Sequence, residues 1–166
     1  MRNEKFNNFG YALTSYLGKY LPNEGGLSIN TIYSYRDTFK LFILYLRETG
    51  INTEKIEFQH FTRENLNSFL DWLESDRNCT VSTRNIRLAA LHAFARYLQI
   101  DFPELAEYSN NILSLRKKKE IKNTIGYLST NEINWIMIEA KQTSNRDFVL
   151  LSLLYETGCR AQELCD

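Results

Sequence analysis

Proline and glycine are scarce in this chain. Two prolines and seven glycines in 166 residues leave little material for the turns of a β-sandwich or barrel, and favour helices. Cysteines are few and odd in number. Cys79, Cys159 and Cys165 lack metal-ligand spacing, and with two histidines they argue against a disulfide framework and against a metal site. They read as buried or idle thiols in a reducing cytoplasm, where we expect the protein. No apolar run reaches the roughly 18 residues a membrane span requires, and Met1 to Asn8 has no signal-peptide stretch. Net charge is also missing, with 20 Lys+Arg against 20 Asp+Glu, which removes the simplest argument for a nucleic-acid partner. What is present is a 43% hydrophobic fraction, enough for a packed core and too much for a disordered chain. The length allows one domain, or one and part of another.

Apolar spacing predicts a run of helices. Phe6, Phe9, Leu13, Tyr16, Leu17 and Tyr20 lie three and four apart and mark one helix face, which stops at Pro22-Asn23-Glu24-Gly25-Gly26. Ile32, Tyr35, Phe39, Phe42, Ile43 and Leu46 form the stripe of a second, long helix. Ser28 or Asn30 can cap its start, and Gly50 supplies a left-handed stop. Leu41, Leu44 and Tyr45 add a second apolar face to its later half. A third helix follows Thr62 with Leu66, Phe69, Leu70 and Leu73. A fourth starts near Ser82 and ends before Asp101-Phe102-Pro103. Its expected inner face is Ile86, Ala89, Ala90, Ala93, Phe94 and Tyr97, with Arg84, Asn85, Leu88, His92 and Gln99 opposite. Short loops would gather these helices into a bundle of about 100 residues.

The neutral total conceals an uneven distribution. Net charge is −1 over residues 1–110, +4 over 111–126 and −3 over 127–166. Arg116-Lys117-Lys118-Lys119-Glu120-Ile121-Lys122 has no clear apolar stripe and reads as a basic linker. Beyond it Ser129-Thr130-Asn131-Glu132 fits a capping box, followed by Ile133, Ile136, Met137 and Ala140. Phe148 to Tyr155 is apolar nearly all round, as in a helix at the centre of a core larger than this chain supplies. Gly158 closes it, and this second unit reads as cut off.

Arg160 follows that glycine where a new helix begins. A guanidinium offers a rigid, permanently charged fork matched to phosphate oxygens, and helix N-terminal amides beside it would strengthen an anion site. On spacing alone the residue reads rather as paired with Glu163 or Glu156 in a solvated, structural role.

The segment Leu153 to Leu164 resembles the start of the catalytic domain of the tyrosine recombinase (phage integrase) family. That pattern is an apolar helix, Thr-Gly, one residue, Arg, two residues and Glu-Leu. Its fixed positions are present as Thr157, Gly158, Arg160, Glu163 and Leu164. Tyr127-Leu128-Ser129 with Glu132, and Arg146-Asp147, are similar to the beginning of that domain. Asn30 to Asp37 resembles the first DNA-facing helix of the family's core-binding domain, and Ser82 to Leu98 its last long helix. The resemblance implies an all-α protein: a four- to five-helix, SAM-like core-binding bundle over residues 1–107, a basic linker over 108–126, and the first helices of a catalytic domain over 127–166.

It also implies a reaction. In the family a tyrosine attacks the scissile phosphate of double-stranded DNA and forms a 3′-phosphotyrosyl link. The bond energy is conserved, so no nucleotide cofactor is needed, and arginines stabilise the pentavalent phosphate. Arg160 matches the first of these arginines, and Glu163 is assigned to structural support. The family's lysine, His-x-x-Arg segment, further His or Trp and nucleophilic tyrosine lie downstream of Asp166, so this polypeptide alone is expected to be inactive. By position Thr31, Tyr33, Ser34 and Arg36 on one helix, and Ser82, Thr83, Arg84, Asn85, Arg87 and His92 on another, would face DNA. Hydroxyls and amides there suit phosphate contacts, while Arg84, Asn85 and Arg87 are the natural base readers. Lys117, Lys118, Lys119 and Lys122 could follow the backbone, or serve only as a solvated tether. The full-length enzyme would assemble as an oligomer on DNA, and this chain would be monomeric without it. A stand-alone DNA-binding regulator and a purely protein-associating bundle are the alternatives.

Overall fold

The computed structural model describes residues 8–120 and 126–165, and every regular element among them is helical. Two compact units are present, Met1–Ile121 and Lys122–Asp166. Phe6 and Lys122 lie outside the described residues.

In the first unit, helix α1 (Phe9–Ser15) is capped by Asn8, whose side chain accepts from the Tyr11 amide. It widens into a π-helical turn over Tyr16–Tyr20 and ends with Leu21–Asn23. Pro22 explains the irregular end, since it has no N–H to continue the ladder. Helix α2 (Ile29–Glu48) is capped by Ser28. It stops where Gly50 takes a φ of 91°, a conformation that costs a residue with a Cβ far more than glycine. Helix α3 (Arg63–Ser75) is capped by Thr62, helix α4 (Val81–Asp101) by Thr80. Helix α5 (Ala106–Leu113) then packs back against α4.

The core is unusually rich in aromatic rings. Phe39 meets Phe94 at 5.0 Å, and Phe42 meets Phe61 at 4.9 Å and Phe69 at 5.1 Å between ring centroids. Edge and tilted contacts of this kind add to the burial of each ring's area. All four α3 positions expected inside are buried, as are Phe39, Phe42 and Leu46 of α2. Tyr45, from the second apolar face of α2, reaches Phe69 and Trp72. Tyr16 is fully buried with no hydrogen-bond partner for its hydroxyl among the described residues, and that burial raises its pKa well above the usual tyrosine value.

Helix α4 departs from the expected orientation. Arg84, Asn85 and Leu88 are buried, together with Leu91, Ala95 and Leu98, whereas Ile86 is 51% exposed. The cause is α5. It occupies part of the region read as linker, buries Ser109 and Ile112, and with Leu115 and the chain up to Glu120 covers a flank of α4 that α2 and α3 alone would have left in water. The helix is central, contacting α2, α3 and α5, and so is apolar on more than one side.

The second unit contains α6 (Thr130–Thr143), α7 (Asn145–Thr157) and the short α8 (Ala161–Cys165). The capping box is formed: the Ser129 hydroxyl accepts from the Glu132 amide and the Glu132 carboxylate accepts from the Ser129 amide at 2.7 Å. Gly158 caps α7 with φ 64°. None of the described residues of these three helices is buried, and Trp135 is 67% exposed. An apolar trough of about 260 Å³ runs between Ile133, Met137, Leu151 and Leu154.

Candidate nucleic-acid interface

The two longest helices begin in the same way. At α2 the Ser28 hydroxyl accepts from the Thr31 amide at 3.3 Å and pairs with the Thr31 hydroxyl at 3.0 Å. At α4 the Thr80 hydroxyl accepts from the Thr83 amide at 3.2 Å and pairs with the Thr83 hydroxyl at 3.1 Å. Each cap satisfies one of the amides that a helix start leaves without an intrahelical acceptor.

Arg87 fastens these two helix starts together. Its Nη1 donates to the Ser34 carbonyl at 2.8 Å and to the Thr38 hydroxyl at 3.3 Å. The Thr38 hydroxyl in turn donates to the Ser34 carbonyl at 3.0 Å. Ser34 therefore carries an acceptor that two donors share, and the first turns of α2 and α4 lie at one end of the bundle. Thr31, Tyr33, Ser34 and Arg36 come from one helix there, Ser82 and Thr83 from the other. Tyr33, Arg36 and Ser82 are exposed. The Arg36 guanidinium stacks 4.7 Å above the Tyr33 ring and its Nε lies 3.7 Å from the Asp37 carboxylate.

Arg84, Asn85, Arg87 and His92 are expected to face DNA, and the structure places them otherwise. Arg84 is 4% exposed, with Nε 3.0 Å from Glu74 Oε1 and Nη1 buried without a partner among the described residues. Asn85 is 6% exposed, and its amide engages the chain at Lys118 and Glu120. Arg87 is the α2–α4 tie. His92 lies near the carbonyls of Ile112 and Leu115 at the end of α5, and burial followed by the charge of Arg96 lowers its pKa. Arg84, Asn85 and Arg87, which the resemblance offers as base readers, instead hold the bundle together. Helix α5 carried the missed signal, because Leu105, Tyr108, Ile112 and Leu115 repeat three and four apart.

The basic stretch is not uniform either. Lys118 Nζ lies 2.6 Å from Glu74 Oε1 and 3.5 Å from Asp71 Oδ1, and its bond to Glu74 raises its pKa. Lys117 and Lys119 are exposed and form no ion pair among the described residues. No group of His, Cys, Asp or Glu among the described residues could hold a metal ion, and no helix there is long and apolar enough to cross a membrane.

In the second unit, Arg160 meets one of its two sequence-level partners. Its Nη1 donates to Glu163 Oε1 at 2.8 Å while its backbone amide donates to Glu163 Oε2 at 2.9 Å. These two bonds, the backbone one first, lower the Glu163 pKa. The Arg160 side chain is 85% exposed, so Glu163 orients the guanidinium without enclosing it. Thr157 braces the preceding turn, donating to the Leu153 carbonyl and accepting from the Cys159 amide.

A compact, all-helical bundle with two capped helix starts tied at one end is the architecture of a SAM-like core-binding domain. Residues 13–100 match the family described as phage integrase, N-terminal SAM-like domain, and the chain belongs to that family. It is 27% identical over 156 residues to a protein of Sinorhizobium fredii named as an integrase/recombinase, covering 92% of this chain and 47% of that one. It is 30% identical over 149 residues to the tyrosine recombinase XerD of Staphylococcus haemolyticus (88% and 48%). Against the tyrosine recombinase XerC of Herpetosiphon aurantiacus the identity is 29% over 146 residues (87% and 46%). The chain thus spans about half the length of these curated relatives. No solved structure matches it.

Proposed function

We propose that this chain binds double-stranded DNA as the core-binding part of a site-specific tyrosine recombinase, with Arg160 supplying the first phosphate-binding arginine of its catalytic centre. The observation that carries the reading is the Arg87 tie, which brings two capped helix starts to one end of the bundle. Uncompensated amides at those starts favour anions, and the exposed Tyr33, Arg36 and Ser82, with Thr31 and Thr83, add donors that fit phosphate and sugar oxygens. Ser34 lies among them. Arg87 acts from behind this surface by tying its two helices together, while Arg84, Asn85 and His92 anchor α4 to α3, to the chain at 118–120 and to the end of α5. Lys117 and Lys119, exposed in the basic stretch, and Lys122, by its place in that stretch of the sequence, are proposed to add phosphate contacts.

A gel-shift series on sequence-randomised duplex at two salt concentrations tests the reading. Affinity should fall steeply with salt, and each lost phosphate contact should flatten the log–log slope by about 0.9. Lys117→Gln and Lys119→Gln should each flatten it more than Lys118→Gln, because Lys118 is already engaged by Glu74 and Asp71. No shift at low salt would end the DNA reading and leave a protein-associating bundle.

A further inference from the structure

We propose that Asn85 is a positioning residue for the segment joining the two units. With Glu74 it clamps Lys118–Glu120 against α3 and α4, and so fixes where the chain leaves the bundle. Asparagine is well suited to this task, since its amide carries a donor and an acceptor side by side and can bond to a peptide group as another peptide group would. Here the Oδ1 accepts from the Lys118 amide at 3.0 Å and the Nδ2 donates to the Lys118 carbonyl at 2.9 Å. Both polar groups of one linker residue are therefore satisfied by one side chain, and Nδ2 also donates to Glu120 Oε1 at 3.0 Å.

Glu74 completes the clamp from α3. Its Oε1 lies between the buried Arg84 guanidinium (3.0 Å) and the Lys118 ammonium (2.6 Å), so one carboxylate answers a cation of the bundle and a cation of the linker. Arg84 is why the carboxylate stays in place: it is buried, always charged, and has no other anion within ion-pairing distance among the described residues. The hydrophobic support is Leu115, buried three residues before the clamp. The chain is thus held by side-chain packing at Leu115 and by hydrogen bonds and ion pairs at 118–120. Only residues 121–129 remain between the clamp and α6. The clamp is a property of the chain without DNA and does not depend on the DNA reading.

Hydrogen exchange of the Lys118 amide, followed by NMR on the whole chain without DNA, tests the clamp. In the wild type this amide should be protected although it belongs to no helix. Asn85→Ala should accelerate its exchange at least tenfold while amides within α2 and α3 keep their rates. Asn85→Asp retains the acceptor but sets a carboxylate against Glu120, and should give an intermediate rate. Adding E120Q to N85D should restore protection, because the new amide can donate to the carboxylate. If Asn85→Ala does not fold, the exposed substitution Glu120→Ala, which removes one bond and leaves the bundle intact, should still accelerate exchange about threefold. An unprotected Lys118 amide in the wild type, or no acceleration in a folded Asn85→Ala or Glu120→Ala variant, overturns the proposal. A failed gel shift with a protected Lys118 amide would instead sink only the DNA reading.

Discussion

At the scale of single residues, burial decides roles that residue type leaves open. An arginine or asparagine near a helix start is the natural reader of a base edge, yet Arg84 is buried against Glu74 of α3 and Asn85 beneath the chain at Lys118–Glu120. His92 shares that environment and carries a testable consequence. Burial and Arg96 lower its pKa, and Lys117 adds to the effect, while the carbonyls of Ile112 and Leu115 oppose it. The unfolded chain therefore takes up this proton more readily than the folded one. The stability contributed by neutral His92 is complete above the ordinary histidine value of about 6.5 and is lost as pH falls through the lowered folded value. His92→Gln should flatten the pH dependence of stability as pH falls below about 6.5, measured by urea unfolding at each pH. A variant with the wild-type slope would show that His92 does not contribute to it.

At the scale of elements, helix caps separate residues that hold a helix from residues that face outward. Thr80 caps α4 and Ser82, two positions on, is exposed. Thr80→Ala should cost about 1 kcal/mol of stability. Ser82→Ala should leave stability within about 0.5 kcal/mol and weaken DNA binding in the gel shift. Equal losses of stability from both would remove the distinction. The α2 and α3 stripes, the Thr62 cap and the Ser129–Glu132 capping box were legible in the sequence, because each rests on neighbours three or four residues away. The burial of α4 was not. An inner face can be read from periodicity when one side of a helix packs, but α4 packs on three partners, one of them the short α5, whose apolar repeat runs directly into the basic stretch. The motif around Arg160 was legible as a string, and its pairing with Glu163 over Glu156 was decided by the turn at Gly158, which starts α8 and brings position 163 back to the Arg160 amide.

At the scale of the whole molecule, the two units differ in how much of themselves they bury. The first has a continuous aromatic core, and the described part of the second has no buried side chain. The two tryptophans report on them separately, Trp72 in the first, where its indole donates to Glu48, and Trp135 in the second. In urea, W135F should show one sigmoidal change of Trp72 emission. W72F should show Trp135 emission already shifted to the red and changing gradually at lower denaturant. A single transition shared by both variants would mean that the units fold as one. The return of α5 onto α4 also orders events on the ribosome. Ile112 and Leu115 are among the last residues of the first unit to be synthesised, and they close its core. The bundle cannot finish folding until they have emerged, so translation of the second unit is already under way when the first one closes.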